Sequence, residues 1–185
     1  MTRADYHRAG EAGIFGPEER LELIGGEVIK KVSPQRTPHA TSIALCAEAL
    51  GKAFGQEHHV RVQAPMTLGP HSEPEPDVCV VVGSVRDYEK EHPKTAVLVV
   101  EVADSSVRLD RKVKASLYAA AGIADYWLLN LPDRLLEVHR EPAPMADEPF
   151  RHHYRSITRY PETATVSPLA APGGTILVAD LLPRP

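Results

Sequence analysis

The chain has 185 residues, 43% hydrophobic and 25% charged, a mix that suits one compact domain over residues 1–185 with one buried core. Its formal charge of −4 and 5% aromatic content argue against a tight, nonspecific nucleic-acid binder and against broad stacking platforms for single strands. Two cysteines, Cys46 and Cys79, are too few for a disulfide framework or a thiolate cage and are expected as small buried hydrophobes.

No apolar run approaches the roughly 20 residues that span a bilayer, and Met1-Thr2-Arg3-Ala4-Asp5 lacks the apolar stretch of a signal peptide. A cytoplasmic protein without a membrane partner is therefore expected. Leu21-Glu22-Leu23-Ile24 and Glu27-Val28-Ile29 flank Gly25-Gly26 and predict a hairpin, so chain entry is expected to be extended. From about Thr37 to Phe54, Ile43, Ala44, Ala47, Leu50 and Phe54 recur at helical spacing, with Gly55 as a stop signal. Val60 to Gln63 alternates like a strand, and Pro65 to Pro76 is irregular.

Two near-continuous apolar runs follow, Asp77 to Val82 and Ala96 to Val102, as expected of strands buried on both faces, and they are placed at the sheet centre. A helix from Leu109 to Ala121, closed by Gly122, leads to strands at Asp125 to Asn130 and Leu135 to His139. Pro142 to Pro149 reads as a surface loop, Tyr154 to Thr158 as a strand, and the segment from Ala164 onward as short extended pieces.

Asp77 opens one buried strand and Glu101 lies near the end of the next, so adjacent pairing would bring both carboxylates to one sheet edge. Two such oxygen ligands suit Mg²⁺, which takes one or two protein carboxylates with water and substrate phosphate. Asp77 alone also reads as a turn cap after Pro76. Glu101 within a valine run is costly unless it is paired, protonated or bound to metal. If Val113, Leu117 and Ala121 form the buried face of the following helix, Lys114 lies on its border; it then serves either the carboxylates or an i,i+4 ion pair with Asp110. Arg108, Arg111, Lys112 and Lys114 form a local cluster able to hold phosphates despite the acidic balance. His58-His59 and His152-His153 are neighbours in extended segments and face opposite ways, so they are read as surface histidines, and Trp127 is read as core.

Glu75-Pro76-Asp77, Val99-Val100-Glu101-Val102, Asp110, Lys114, Tyr118, Gly122-Ile123 and Asp125-Tyr126-Trp127 together resemble the Uma2 family of the PD-(D/E)XK nuclease superfamily. Leu21 to Ile24, Glu27, Ser33-Pro34 and His39 resemble its N-terminal motif. The resemblance implies a restriction-endonuclease-like α/β fold: a mixed central sheet flanked by helices, with an N-terminal hairpin. It also implies a metal-dependent endonuclease of DNA using Mg²⁺ or Mn²⁺, and a homodimer. By position it makes Asp77 and Glu101 metal ligands, the Val102 backbone carbonyl a third, and Lys114 the catalytic lysine. Glu22 and His39 become accessory residues. Ala103 stands where the superfamily's lysine usually lies, Ala103-Asp104-Ser105-Ser106 replaces a Leu-Ser-Pro-Ser-like turn, and Asn130 replaces a frequent aspartate. Two other readings stay open on the residues: a nuclease-like binding or assembly module with little turnover, and a metal hydrolase of small phosphoesters.

Overall fold

The computed structural model describes residues 1–16, 18–31 and 37–184; Ser33 and Pro34 fall outside them. Chain entry is helical, not extended. Helix α1 (Arg3–Glu11) starts at a capping box in which the Thr2 hydroxyl accepts from the Asp5 N–H and the Asp5 carboxylate accepts from the Thr2 N–H. It buries no residue, so no apolar periodicity marks it in the sequence. Arg3 and His7 anchor it instead, reaching the buried Glu73 carboxylate at 2.7 and 2.9 Å.

Strands β1 (Leu21–Ile24) and β2 (Glu27–Lys30) form the expected antiparallel hairpin. Its turn is Gly25-Gly26 with φ of 60° and 85°, the pair of positive values that a two-residue hairpin turn demands. A Cβ on Gly26 would lie 2.9 Å from the Met1 backbone nitrogen, so close approach of the chain start also excludes a side chain there. The irregular loop from 65 to 76 bridges to the hairpin where Leu23 and Glu73 exchange backbone hydrogen bonds.

Helix α2 (Thr37–Phe54) lies where the periodicity places it. The main sheet has six strands in chain order: β3 (His58–Val62), β4 (Val78–Val82), β5 (Leu98–Ala103), β6 (Asp125–Asn130), β7 (Leu135–Pro144) and β8 (His152–Pro161). Only β5 and β6 run parallel; every other neighbouring pair is antiparallel. The sheet centre is therefore β5 with β6, one strand later than the apolar runs imply.

The proline-rich segment also differs from expectation, because β7 continues through Pro144. Beyond Arg140 it pairs with β8 alone, and at such an edge a proline sacrifices no ladder bond. One sheet face packs Val78, Val80, Val100 and Trp127 against Ile43, Cys46, Leu50 and Phe54 of α2 and against the short pair β9 (Thr165–Val166) and β10 (Ile176–Leu177). Trp127 is fully buried, as expected of a core residue, and both cysteines are buried and free, with burial pushing their thiols up to about 12.

The opposite face packs Cys79, Val99, Tyr126 and Leu128 under the crossover from β5 to β6. That crossover is helical from Val107 to Ala120 but not uniformly α: α3 (Val107–Leu109) passes into a π-helical turn, Asp110–Lys114, before α4 (Ala115–Ala120). Gly122 closes it at φ 74°. The wider turn changes which side faces inward. Asp110, Lys114, Ala115 and Tyr118 are buried, whereas Val113 and Ala121 are only half-buried. Lys114 thus sits within the buried face rather than on its border. Among the described residues, no helix is long and apolar enough to cross a membrane.

Candidate active site

The β4–β5 register pairs Val78 with Val100, and one step further sets Asp77 across from Glu101 on the face beneath the π turn. The Val102 N–H donates to Asp77 Oδ2 at 2.9 Å, so the strand itself fixes the aspartate. His39, near the start of α2, brings Nε2 to 3.5 Å from the same oxygen. Burial opposes ionisation of Asp77, but the His39 contact, the nearby Lys31 and Lys114 charges and the Val102 N–H outweigh it and hold the carboxyl at about 2. His39 is shifted up in turn, chiefly by Asp77.

Glu101 is only 2% exposed. Its Oε1 accepts from Lys114 Nζ at 3.0 Å and from the Tyr118 hydroxyl at 2.7 Å. Burial nevertheless raises its carboxyl to about 8, with Lys114 working against the shift and Asp77 and Asp110 adding to it. The Tyr118 hydroxyl is pushed well above its ordinary value, first by burial and then by Glu101, and so remains a donor.

Lys114 is the hub of the cluster. Besides Glu101, its ammonium lies 3.1 Å from Glu22 Oε1 and 3.9 Å from Asp110 Oδ1, and all four side chains are almost wholly buried. Burial would discharge an isolated lysine, but here the surrounding carboxylates raise its pKa well above the ordinary value. The i,i+4 contact with Asp110 exists, though buried and longer than the contacts with Glu101 and Glu22. Glu22 is held by the Glu75 N–H at 3.2 Å, so the hairpin and the 65–76 loop deliver it together.

The sequence-predicted residues Asp77, Glu101, Val102, Lys114, Glu22 and His39 all line one cleft of about 210 Å³. The structure does not gather Arg108, Arg111, Lys112 and Lys114 at the cleft. Lys114 is buried among carboxylates, Arg111 makes a two-point ion pair with buried Glu137 at 2.7 and 3.0 Å, and exposed Arg108 and Lys112 do not line the cleft. His58, His59, His152 and His153 are half-buried, each keeping part of its surface exposed. Sequence reasoning assigned no role to Tyr118, whose i+4 spacing from Lys114 was the available signal, nor to the Arg111–Glu137 pair, which joins residues 26 apart.

A divalent ion is the cofactor that the fold implies, and the donor set bears on it directly. Among the described residues, no three carboxylate, histidine or cysteine side chains converge as a ready-made cage. Two anchored carboxylates, Asp77 and Glu101, with the adjoining backbone carbonyl of Val102 are hard oxygen donors of the number that Mg²⁺ takes when water and substrate complete its shell. The residues fit such an ion.

The cleft geometry belongs to a fold already seen elsewhere. The crystal structure of a protein described as "a putative nuclease belonging to DUF820 from Anabaena variabilis ATCC 29413" superposes with a TM-score of 0.74 at 17% identity, covering 98% of this chain and 97% of that one. The two share the restriction-endonuclease-like fold. No curated protein matches the chain. The family model for Uma2, described as "Putative restriction endonuclease", matches residues 3–179. That match spans nearly the whole sequence, and the chain belongs to the Uma2 family.

Proposed function

We propose that the chain is a divalent-metal-dependent endonuclease that hydrolyses phosphodiester bonds of DNA at the cleft floored by Asp77, Glu101 and Lys114. The observation that carries this reading is a fully buried ammonium held between Glu101 and Glu22 in a cleft that Asp77 also lines. Burying so many charges serves stability poorly compared with packed apolar side chains, which favours a chemical role for them.

Asp77 and Glu101, with the Val102 carbonyl, would hold Mg²⁺ or Mn²⁺. Such an ion supplies Lewis-acid polarisation of a phosphoryl oxygen and makes water a stronger nucleophile. The chain's own groups do the positioning. The Val102 N–H and His39 orient Asp77, the Tyr118 hydroxyl orients Glu101, and Glu22 holds the Lys114 ammonium at the cleft. From there Lys114 places a fixed positive charge where a phosphoryl group gains negative charge in the transition state.

The test is cleavage of supercoiled plasmid and of short single-stranded DNA with Mg²⁺ or Mn²⁺, comparing the wild type with Glu101→Ala and Lys114→Ala purified in parallel. Cutting that needs metal and is lost in both variants is expected. Equal cutting by all three proteins, or none by the wild type, would refute the assignment; the second result would favour a binding module.

A further inference from the structure

The cleft has walls of unequal charge. On one side stand Arg20, Lys30 and Lys31, gathered at the open end of the β1–β2 hairpin, where the Lys31 N–H donates to the Arg20 carbonyl at 2.8 Å. The loop after β5 lines the same cleft with Asp104, Ser105 and Ser106. The cleft also holds the carboxylate floor, whose ionised Asp77 repels a phosphodiester that lacks compensating charge.

The state of each cation matters. The Lys31 ammonium donates to the backbone carbonyl of Glu75 and is shared electrostatically among the Glu75 and Asp77 carboxylates, and Arg20 also acts on Glu75, so neither cation is locked in a close ion pair with one carboxylate among the described contacts. Lys30 reaches Glu19 at 2.7 Å, but both partners are well exposed, and such a pair exchanges readily for another anion. The cations of the crossover helix offer no such access: Arg108 and Lys112 stand outside the cleft and Arg111 is committed to Glu137.

We propose that the hairpin wall is a phosphate-binding surface: a DNA backbone runs along Arg20, Lys30 and Lys31, which grip phosphates flanking the one above the carboxylate floor. This rests on the nuclease reading and adds a direction to it, since the polyanion follows the hairpin and not the crossover helix. The hairpin then has two tasks, delivering Glu22 to Lys114 with one side and holding substrate with its open end.

Counterion release makes the inference measurable. Each phosphate contact contributes about 0.7 to the slope of log K against log salt on single strands and about 0.9 on duplex. Binding of a fluorescein-labelled oligonucleotide, single-stranded and as its duplex, is followed by anisotropy over a KCl series in EDTA, where metal-dependent hydrolysis is blocked. For Arg20→Ala/Lys30→Ala/Lys31→Ala the slope is expected to fall by roughly 2 on the single strand and roughly 2.7 on the duplex. Arg108→Ala/Lys112→Ala is expected to keep the wild-type slope.

A wild-type slope in the hairpin variant, a slope loss in the helix variant instead, or no binding by the wild type would each overturn the inference. If the triple variant does not fold by circular dichroism, Arg20→Ala alone decides, with an expected loss of about 0.7 on the single strand. The plasmid assay keeps the two claims apart. Metal-dependent cutting with an unchanged hairpin slope would sink this inference and leave the nuclease reading standing, whereas hairpin-dependent binding without cutting would do the reverse.

Discussion

Tyr118→Phe removes one oxygen atom and tests whether Glu101 is a prepared ligand. The hydroxyl donates to Glu101 Oε1 at 2.7 Å between two side chains that are 0% and 2% exposed, so no solvent stands ready to replace it. A hydrogen bond to a charged group contributes about 1.5–3 kcal/mol, and at about 1.4 kcal/mol per factor of ten its loss weakens a metal held by Glu101 by about 10- to 100-fold. The mechanism has a pH signature. Glu101 titrates at about 8, and losing a donor to its ionised form moves the carboxyl higher still. Calorimetric titration with Mn²⁺ at ~pH 7 should show the full deficit, and at ~pH 9, where more of the wild-type carboxyl is already ionised, the variant should follow the wild type with a delay in pH. Equal Mn²⁺ affinity at ~pH 7 in a folded Tyr118→Phe protein would refute the claim that Tyr118 prepares Glu101.

Two further outcomes follow from charges buried around the π turn. Because the Glu101 carboxyl is raised from 4.5 to about 8, the native state holds a proton that the unfolded chain has released; the metal-free protein should lose stability as pH rises between these values, on the order of a few kcal/mol, and Glu101→Gln should flatten that slope in urea melts. An identical pH dependence in both proteins would contradict the assignment. Arg111→Ala strips the two-point partner from Glu137, which is 1% exposed and among the described residues retains Arg159 at 3.3 Å and His139 at 3.5 Å, and should cost about 1–3 kcal/mol. Burial raises the Glu137 carboxyl, but His139 and Arg111 override this and hold it at about 2, so the stabilisation is present above about 4.5 and lost as pH falls through 2; urea midpoints that do not converge toward acid would speak against the pair.

What the sequence discloses is what local pattern controls. Gly25-Gly26 dictates the hairpin through backbone freedom, the valine runs dictate buried strands, and a glutamate inside such a run is conspicuous because burial makes it expensive. Strand pairing then carries Asp77 to Glu101 with no further information. The failures share a different cause. Helix α1 is held by Arg3 and His7 on Glu73, contacts separated by 70 and 66 residues, and local periodicity does not encode them. The π turn has no sequence period at all, yet it decides that Lys114 points inward while Arg111 turns to Glu137. The strand through Pro142 and Pro144 is legible only once its partner β8 is known, because a proline is excluded from a central strand and tolerated at an edge.

The acidic balance of the chain, which argues against a nucleic-acid binder when read as a sum, has a different meaning once charges are placed. Glu22, Asp77, Glu101 and Asp110 are buried around one lysine, so they add to the formal charge without adding to the outer surface. Arg20, Lys30 and Lys31 line the same cleft beside them. A net charge of −4 thus conceals an anionic floor suited to a cation and a cationic wall suited to a polyanion, both lining one cleft. Under the proposed function both are required, because a cleft with only the floor would repel its substrate and one with only the wall would bind DNA without holding the ion that activates it. Loading the floor with Mn²⁺ should therefore tighten DNA binding, and should do so even in the hairpin variant, since the ion cancels repulsion from Asp77 and Glu101 whether or not Lys31 is there to offset it.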